Sequence, residues 1–185
     1  MHLFNETHDV TITIDPTYRI GSADNDPSYD HVFNPNGYGR NDFYSTFCIR
    51  DHSKESDIKI ALIGSCYSYD RACAVLDGNI LTVLQNDHIT KIDLDTDEVI
   101  STTEIPTDFI NISLHKIPHG LVIHGELEII VLDNDCNVIR RAGARDVITD
   151  IQILEDRISY KDVSGYDYEV GLDRNNACPG GKNET

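Results

Sequence analysis

The chain has 185 residues, enough for one domain that buries a core without disulfide staples. Its 15 Lys and Arg against 32 Asp and Glu leave a formal charge of −17, which repels phosphate backbones and anionic lipid and argues against nucleic acid or a membrane as partner. The five cysteines (Cys48, Cys66, Cys73, Cys136, Cys178) are odd in number and form no C-x-x-C pair, so reduced thiols are expected instead of a disulfide framework or structural zinc.

The N-terminal stretch MHLFNETHDVTITID has neither a basic start nor an apolar run of signal-peptide length. No segment approaches the ~20 apolar residues of a membrane span. A soluble, cytoplasmic protein is expected. Residues 21–44, GSADNDPSYDHVFNPNGYGRNDFY, form a long connection of turn formers that carries Tyr29, Phe33, Tyr38, Arg40, Phe43 and Tyr44. Loops of this length are functional or disordered, and aromatics with Arg are what binding hot spots use, so these six residues are the candidate partner-binding set. The competing reading is a lid whose aromatics pack over an open end of the core.

From residue 70 onward, turn signals arrive at short intervals: Asp77-Gly78, Asn86-Asp87, Pro118-His119-Gly120 and Ser164-Gly165. Between them lie runs rich in Ile, Val, Leu, Thr and Tyr, such as ILTVLQ, HITKIDL, LVIHGELEIIVL, RISYKDV and YDYEVGL. These runs predict strands and hairpins. No window of a dozen residues carries a 3.6-residue apolar stripe, so little or no helix is expected.

Residues 93–104, DLDTDEVISTTE, place Asp93, Asp95, Asp97 and Glu104 in the ligand order of an EF-hand loop. The sharp-turn position that favours Gly is Glu98, the entering segment is broken by Asn86-Asp87, and Pro106 would interrupt the exiting helix. Turn-forming aspartates on a hairpin explain the pattern better, and no metal is assigned. Further on, His115, His119 and His124 fall within ten residues beside Glu126 and Glu128. His115 and His124 share a sheet face if the intervening turn has two or four residues and face opposite ways if it has three, because side chains alternate with period two. The one basic cluster, Arg140, Arg141 and Arg145, is followed by Asp146 and reads as an exposed strand end. No nucleophile elbow or phosphate loop is present, so no catalytic residue and no cofactor is nominated. Residues 176–185 read as a polar, disordered tail after a single β-repeat domain spanning 1–175.

The strand runs repeat. HITKIDLDTDEVI (88–100) aligns with ELEIIVLDNDCNVI (126–139), matching Leu94-Asp95-Thr96-Asp97 with Leu132-Asp133-Asn134-Asp135 and Val99-Ile100 with Val138-Ile139. A strand ending in Asp recurs at Asp15, Asp51 and Asp173, giving intervals of 36, 44, 38 and 40 residues. A period near 40 filled with short strands is what a four-stranded β-propeller blade produces. Residues 70–105, with DG before the second strand and LD closing the third, resemble the blade repeat of quinoprotein-type β-propellers, and the likeness extends over roughly 70–175. That family's blades carry a Trp after the final turn; this chain has none, so no quinone-binding residue carries over. The resemblance implies an all-β fold of antiparallel four-stranded meander repeats, a small or incomplete propeller-like array, with a twisted sandwich or β-roll as the alternative.

Composition and loop together point to a non-enzymatic interaction module, of immunity or inhibitor type, that binds another protein of basic character. The alternative is a cation-dependent carbohydrate-binding protein or hydrolase that uses the Asp-rich turns. Self-association through uncovered edge strands is a further expectation.

Overall fold

A computed structural model describes residues 1–25, 29–54, 57–65 and 72–172. The chain segments rich in β-branched residues become sixteen strands, and the described residues contain no helix. The first sheet holds β1 (His2–Phe4), β2 (Asp9–Ile14), β4 (Ser45–Asp51) and β5 (Ile58–Gly64) as an antiparallel meander. Between β2 and β4 the long connection contributes β3 (His31–Phe33), which adds to β5 in parallel at the sheet edge. The segment 21–44 is thus threaded by one short strand.

The second sheet is the meander β6 (Ala74–Asp77), β7 (Ile80–Gln85), β8 (His88–Asp93) and β9 (Glu98–Glu104). The third repeats it with β10 (Asn111–Ile117), β11 (Gly120–Gly125), β12 (Glu128–Leu132) and β13 (Val138–Gly143). The run LVIHGELEIIVL is divided between β11 and β12 by a turn around Gly125–Leu127. The fourth sheet has three strands, β14 (Ile148–Ile153), β15 (Arg157–Asp162) and β16 (Asp167–Gly171). Asp173 and the tail 176–185 lie outside the described residues.

Period-two alternation lets each inner sheet bury both faces, so the sheets stack in chain order around three separate cores. Val10, Ile12, Phe47, Ile49 and Leu62 of the first sheet meet Leu81, Val83 and Ile92 of the second. Leu84 and Ile89 on the opposite face of the second sheet meet Leu121, Ile123 and Ile130 of the third. Val122, Ile129 and Val131 then turn to Ile148, Ile158, Tyr160 and Val170 of the fourth. Among the described residues no apolar cluster joins the fourth sheet to the first, and the array they form is open.

Pairing register confirms the repeat and refines it. A bulge falls between Lys91 and Ile92, whose partner is Val99, and its counterpart falls between Val131 and Leu132, whose partner is Val138. The residues two before these partners, Asp97 and Cys136, both have positive φ, 57° and 65°. Ile92-Asp93 therefore corresponds to Leu132-Asp133, two residues away from the sequence alignment, and the third-strand markers are Asp51, Asp93 and Asp133. Each caps its turn as an Asx acceptor: Asp51 Oδ1 takes the Ser53 amide, Asp93 Oδ1 the Asp95 amide and Asp133 Oδ1 the Asp135 amide. Asp15 caps a turn in the same way but at the other end of the strands.

The two outer faces are finished differently. On the first sheet Cys48, Ala61 and Ile63 point away from the core yet are buried, and Tyr29 of the connection between β2 and β4 reaches Cys48. On the fourth sheet the outward face is polar: Arg157 pairs with Glu169, Lys161 with Asp167, and Ser159 donates to Glu169. Such a face gains nothing from a fifth apolar sheet.

Candidate functional site

The Asp-rich hairpin between β8 and β9 is occupied by protein groups. Asp93 Oδ1 accepts from Asn79 Nδ2 at 2.9 Å as well as from its own turn. Asp95 lies 3.5 Å from His8 Nε2, whose other ring nitrogen is 2.9 Å from Asp51. Asp97 receives Lys54 Nζ on both oxygens at 2.7 Å. Glu104 stands at the far end of β9, opposite His88. Burial opposes ionisation of Asp51, but the Ser53 hydroxyl and amide and the His8 imidazole hold its carboxyl below the usual aspartate range. These contacts tie the first sheet to the second. Among the described residues no three His, Cys, Asp or Glu side chains converge as a metal site.

The histidine segment has a two-residue turn, since Ile117 pairs with Gly120. His115 and His124 therefore share a face, with Ser113 between them. Ser113 Oγ is 2.8 Å from His115 Nε2 and 3.5 Å from His124 Nδ1. Ser113 and His124 are buried, and burial also lowers the affinity of His115 for a proton. His119 sits in the turn, apart from the other two. In the repeat register the equivalent second-sheet positions are Cys73, Val75 and Leu84, so a polar trio replaces an apolar one at the same place in the fold.

The six candidate residues of the aromatic segment divide into two groups. Tyr29 donates its hydroxyl to Asp15 at 2.7 Å and meets Tyr18 edge to face. Burial and the Asp15 carboxylate push its phenol well up. Phe33 packs against the first core, Tyr38 lies 6.1 Å from Tyr44, and the Tyr44 hydroxyl accepts the Ile20 amide. Arg40 and Phe43 are exposed, Phe43 at 88%.

A cleft of about 950 Å³ opens between the third and fourth sheets. Its floor is apolar, with Ile117, Val131, Ile139 and Leu172. Its rim is anionic: Asp133 and Asp135 come from the β12–β13 turn, Glu155 and Asp156 from the β14–β15 turn, and His119 faces them. Asp156 is paired with Arg157 at 3.1 Å, whereas no ion pair among the described residues takes Asp135 or Glu155. The rim lies at the strand end that holds the β1–β2 and β6–β7 turns, where Asn5 Nδ2 donates to the Gly78 carbonyl and Lys116 pairs with Asp77. The aromatic segment belongs to the first sheet and none of its residues lines the cleft, so the cleft and the segment are separate surfaces.

No family model and no curated protein matches the chain. Solved structures do. BamB from Moraxella catarrhalis, a β-propeller, is similar at 9% identity and a TM-score of 0.47, over 70% of this chain and 40% of that one. The computationally designed Ika4 protein is similar at 12% identity and 0.49, over 77% and 89%. The WD40 domain of Pan2 from Neurospora crassa is similar at 15% and 0.43, over 64% and 39%. The chain thus spans less than half of the BamB and Pan2 chains. The propeller-like reading rests on this molecule's own stacked meanders.

The cleft was not anticipated from sequence. Its signal was present in part, since Asp133-Asn134-Asp135 and Glu155-Asp156 both fall in turns after strands. What sequence lacks is the packing that sets those two turns across one groove.

Proposed function

We propose that the protein is a non-enzymatic interaction module whose acidic cleft engages a basic protein, in the manner of an inhibitor or immunity-type protein. The observation that supports this reading is the cleft between the third and fourth sheets. Its apolar floor offers burial to the stem of a Lys or Arg, while Asp135 and Glu155 offer charge to the head group. The net charge of −17 adds long-range attraction for a cationic partner. The aromatic segment enters as a separate contact surface, presented by Arg40 and Phe43 and braced by Tyr29, Phe33, Tyr38 and Tyr44.

Affinity capture from the source organism tests the proposal, with wild type, Asp135→Lys/Glu155→Lys and Arg40→Ala/Phe43→Ala compared side by side. A basic protein retained by wild type and lost at least tenfold by the charge-reversed cleft is expected. Equal retention by the charge-reversed variant would remove the cleft from the account. Loss on the loop variant alone would move the site to the aromatic segment.

A further inference from the structure

Among the described residues the fourth sheet is one strand short of the pattern set by the other three. In each of those, the third strand ends at the marker aspartate and a fourth strand returns beside it: β5 after Asp51, β9 after Asp93 and β13 after Asp133. In the fourth sheet β16 is the third strand, and among the described residues nothing pairs with its outer side. The residues after Asp173, RNNACPGGKNET, carry no run of strand-forming side chains like those that build β5, β9 and β13.

Hydrogen-bond parity shows which groups β16 presents on the side away from β15. Leu172 N donates to the Asp156 carbonyl, and Asp162 N to the Tyr166 carbonyl. Directly opposed residues exchange bonds only at alternate positions of an antiparallel pair. Tyr168 and Val170 therefore bond inward to β15, whereas the amides of Asp167, Glu169 and Gly171 point to the open edge. One outward carbonyl, that of Gly171, is already taken by Arg140 Nη1 at 3.0 Å. Side chains alternate too: Tyr168, Val170 and Leu172 face the third sheet, and Asp167 and Glu169 face away.

We infer that a partner adds an extended segment alongside β16 as the missing fourth strand, seating alternate apolar side chains over Leu172 and Ile139 and placing Lys or Arg at the Asp135–Glu155 rim. The inference rests on the cleft reading above and specifies how the partner is held. Backbone pairing supplies affinity, the groove selects apolar residues at every second position, and the rim selects a cationic end. The edge and the groove adjoin at Leu172, which closes the β16 ladder and lines the cleft.

Amide hydrogen exchange followed by NMR tests this, with a synthetic octapeptide of alternating lysine and valine as probe and the same peptide with a central proline as control. The alternating peptide is expected to slow exchange of the Glu169 and Gly171 amides at least tenfold and to shift the Leu172 and Ile139 methyl signals. The proline peptide is expected to bind at least tenfold more weakly. In Glu169→Pro, which removes one outward amide and no bond to β15, affinity for the alternating peptide should also fall tenfold. Methyl shifts without amide protection would overturn strand addition and leave the cleft reading standing; no shift with either peptide would count against both. Glu169 and Gly171 amides already slow in the free protein would show the slot filled by the chain itself. Protection that rises with protein concentration would assign it to a second copy. Either result overturns the inference.

Discussion

Ser113, His115 and His124 occupy positions that the preceding sheet fills with Cys73, Val75 and Leu84, and the difference carries a pH signature. Burial disfavours the His115 imidazolium, so its proton affinity in the fold is below that of the unfolded chain. The unfolded state then binds more protons below about pH 6.5, and the contribution of this residue to stability is lost as pH falls through that value towards the folded pKa. Denaturant midpoints measured from pH 7 to pH 5 should fall less in Ser113→Ala/His115→Val than in wild type. A second prediction concerns Gly120, at φ 155°, where an added Cβ would lie 1.9 Å from the Leu132 carbonyl oxygen. Because that obstacle is backbone, Gly120→Ala should cost more than about 3 kcal/mol in equilibrium unfolding.

The hairpin elements explain how much was legible beforehand. ILTVLQ coincides with β7, and the Asp-ending third strands recur, because alternation and turn chemistry are local and leave their mark on sequence. The two-residue slip in the Asp95–Asp133 match has a local cause that sequence hides. A second Leu-Asp pair, Leu94-Asp95, follows the strand end at Asp93 and imitates Leu132-Asp133, while a left-handed residue, Asp97 or Cys136, replaces the glycine that would have announced the turn. His115 and His124 share a face for a reason decided by a turn length that sequence left open. In the 21–44 segment the six residues were visible, but their division into half-buried Tyr29, Phe33, Tyr38 and Tyr44 and exposed Arg40 and Phe43 depends on packing that sequence does not show. The same hairpin yields a negative prediction. With Asp93, Asp95 and Asp97 engaged by Asn79, His8 and Lys54, excess calcium should leave the melting temperature unchanged, whereas a ligand that binds only the folded state raises it. Lys54→Ala should lower stability by up to about 1 kcal/mol, since this ion pair is only partly shielded and spans two sheets.

At the scale of the whole molecule, four sheets joined by three cores make a linear stack in which each sheet depends only on its neighbours. The second and third sheets, covered on both faces, should show the slowest amide exchange and the fourth the fastest, because among the described residues it is covered on one face and no strand pairs with the outer side of β16. No helix of the described residues is long and apolar enough to cross a membrane. The acidic cleft lies between the third and fourth sheets, and the proposed partner meets it under electrostatic attraction. The most direct test is the association rate of a captured partner measured against ionic strength for wild type and for Asp135→Lys/Glu155→Lys. The account predicts a rate that falls steeply with added salt and drops at least tenfold on charge reversal at low salt. A rate indifferent to salt and unchanged by the reversal would contradict it.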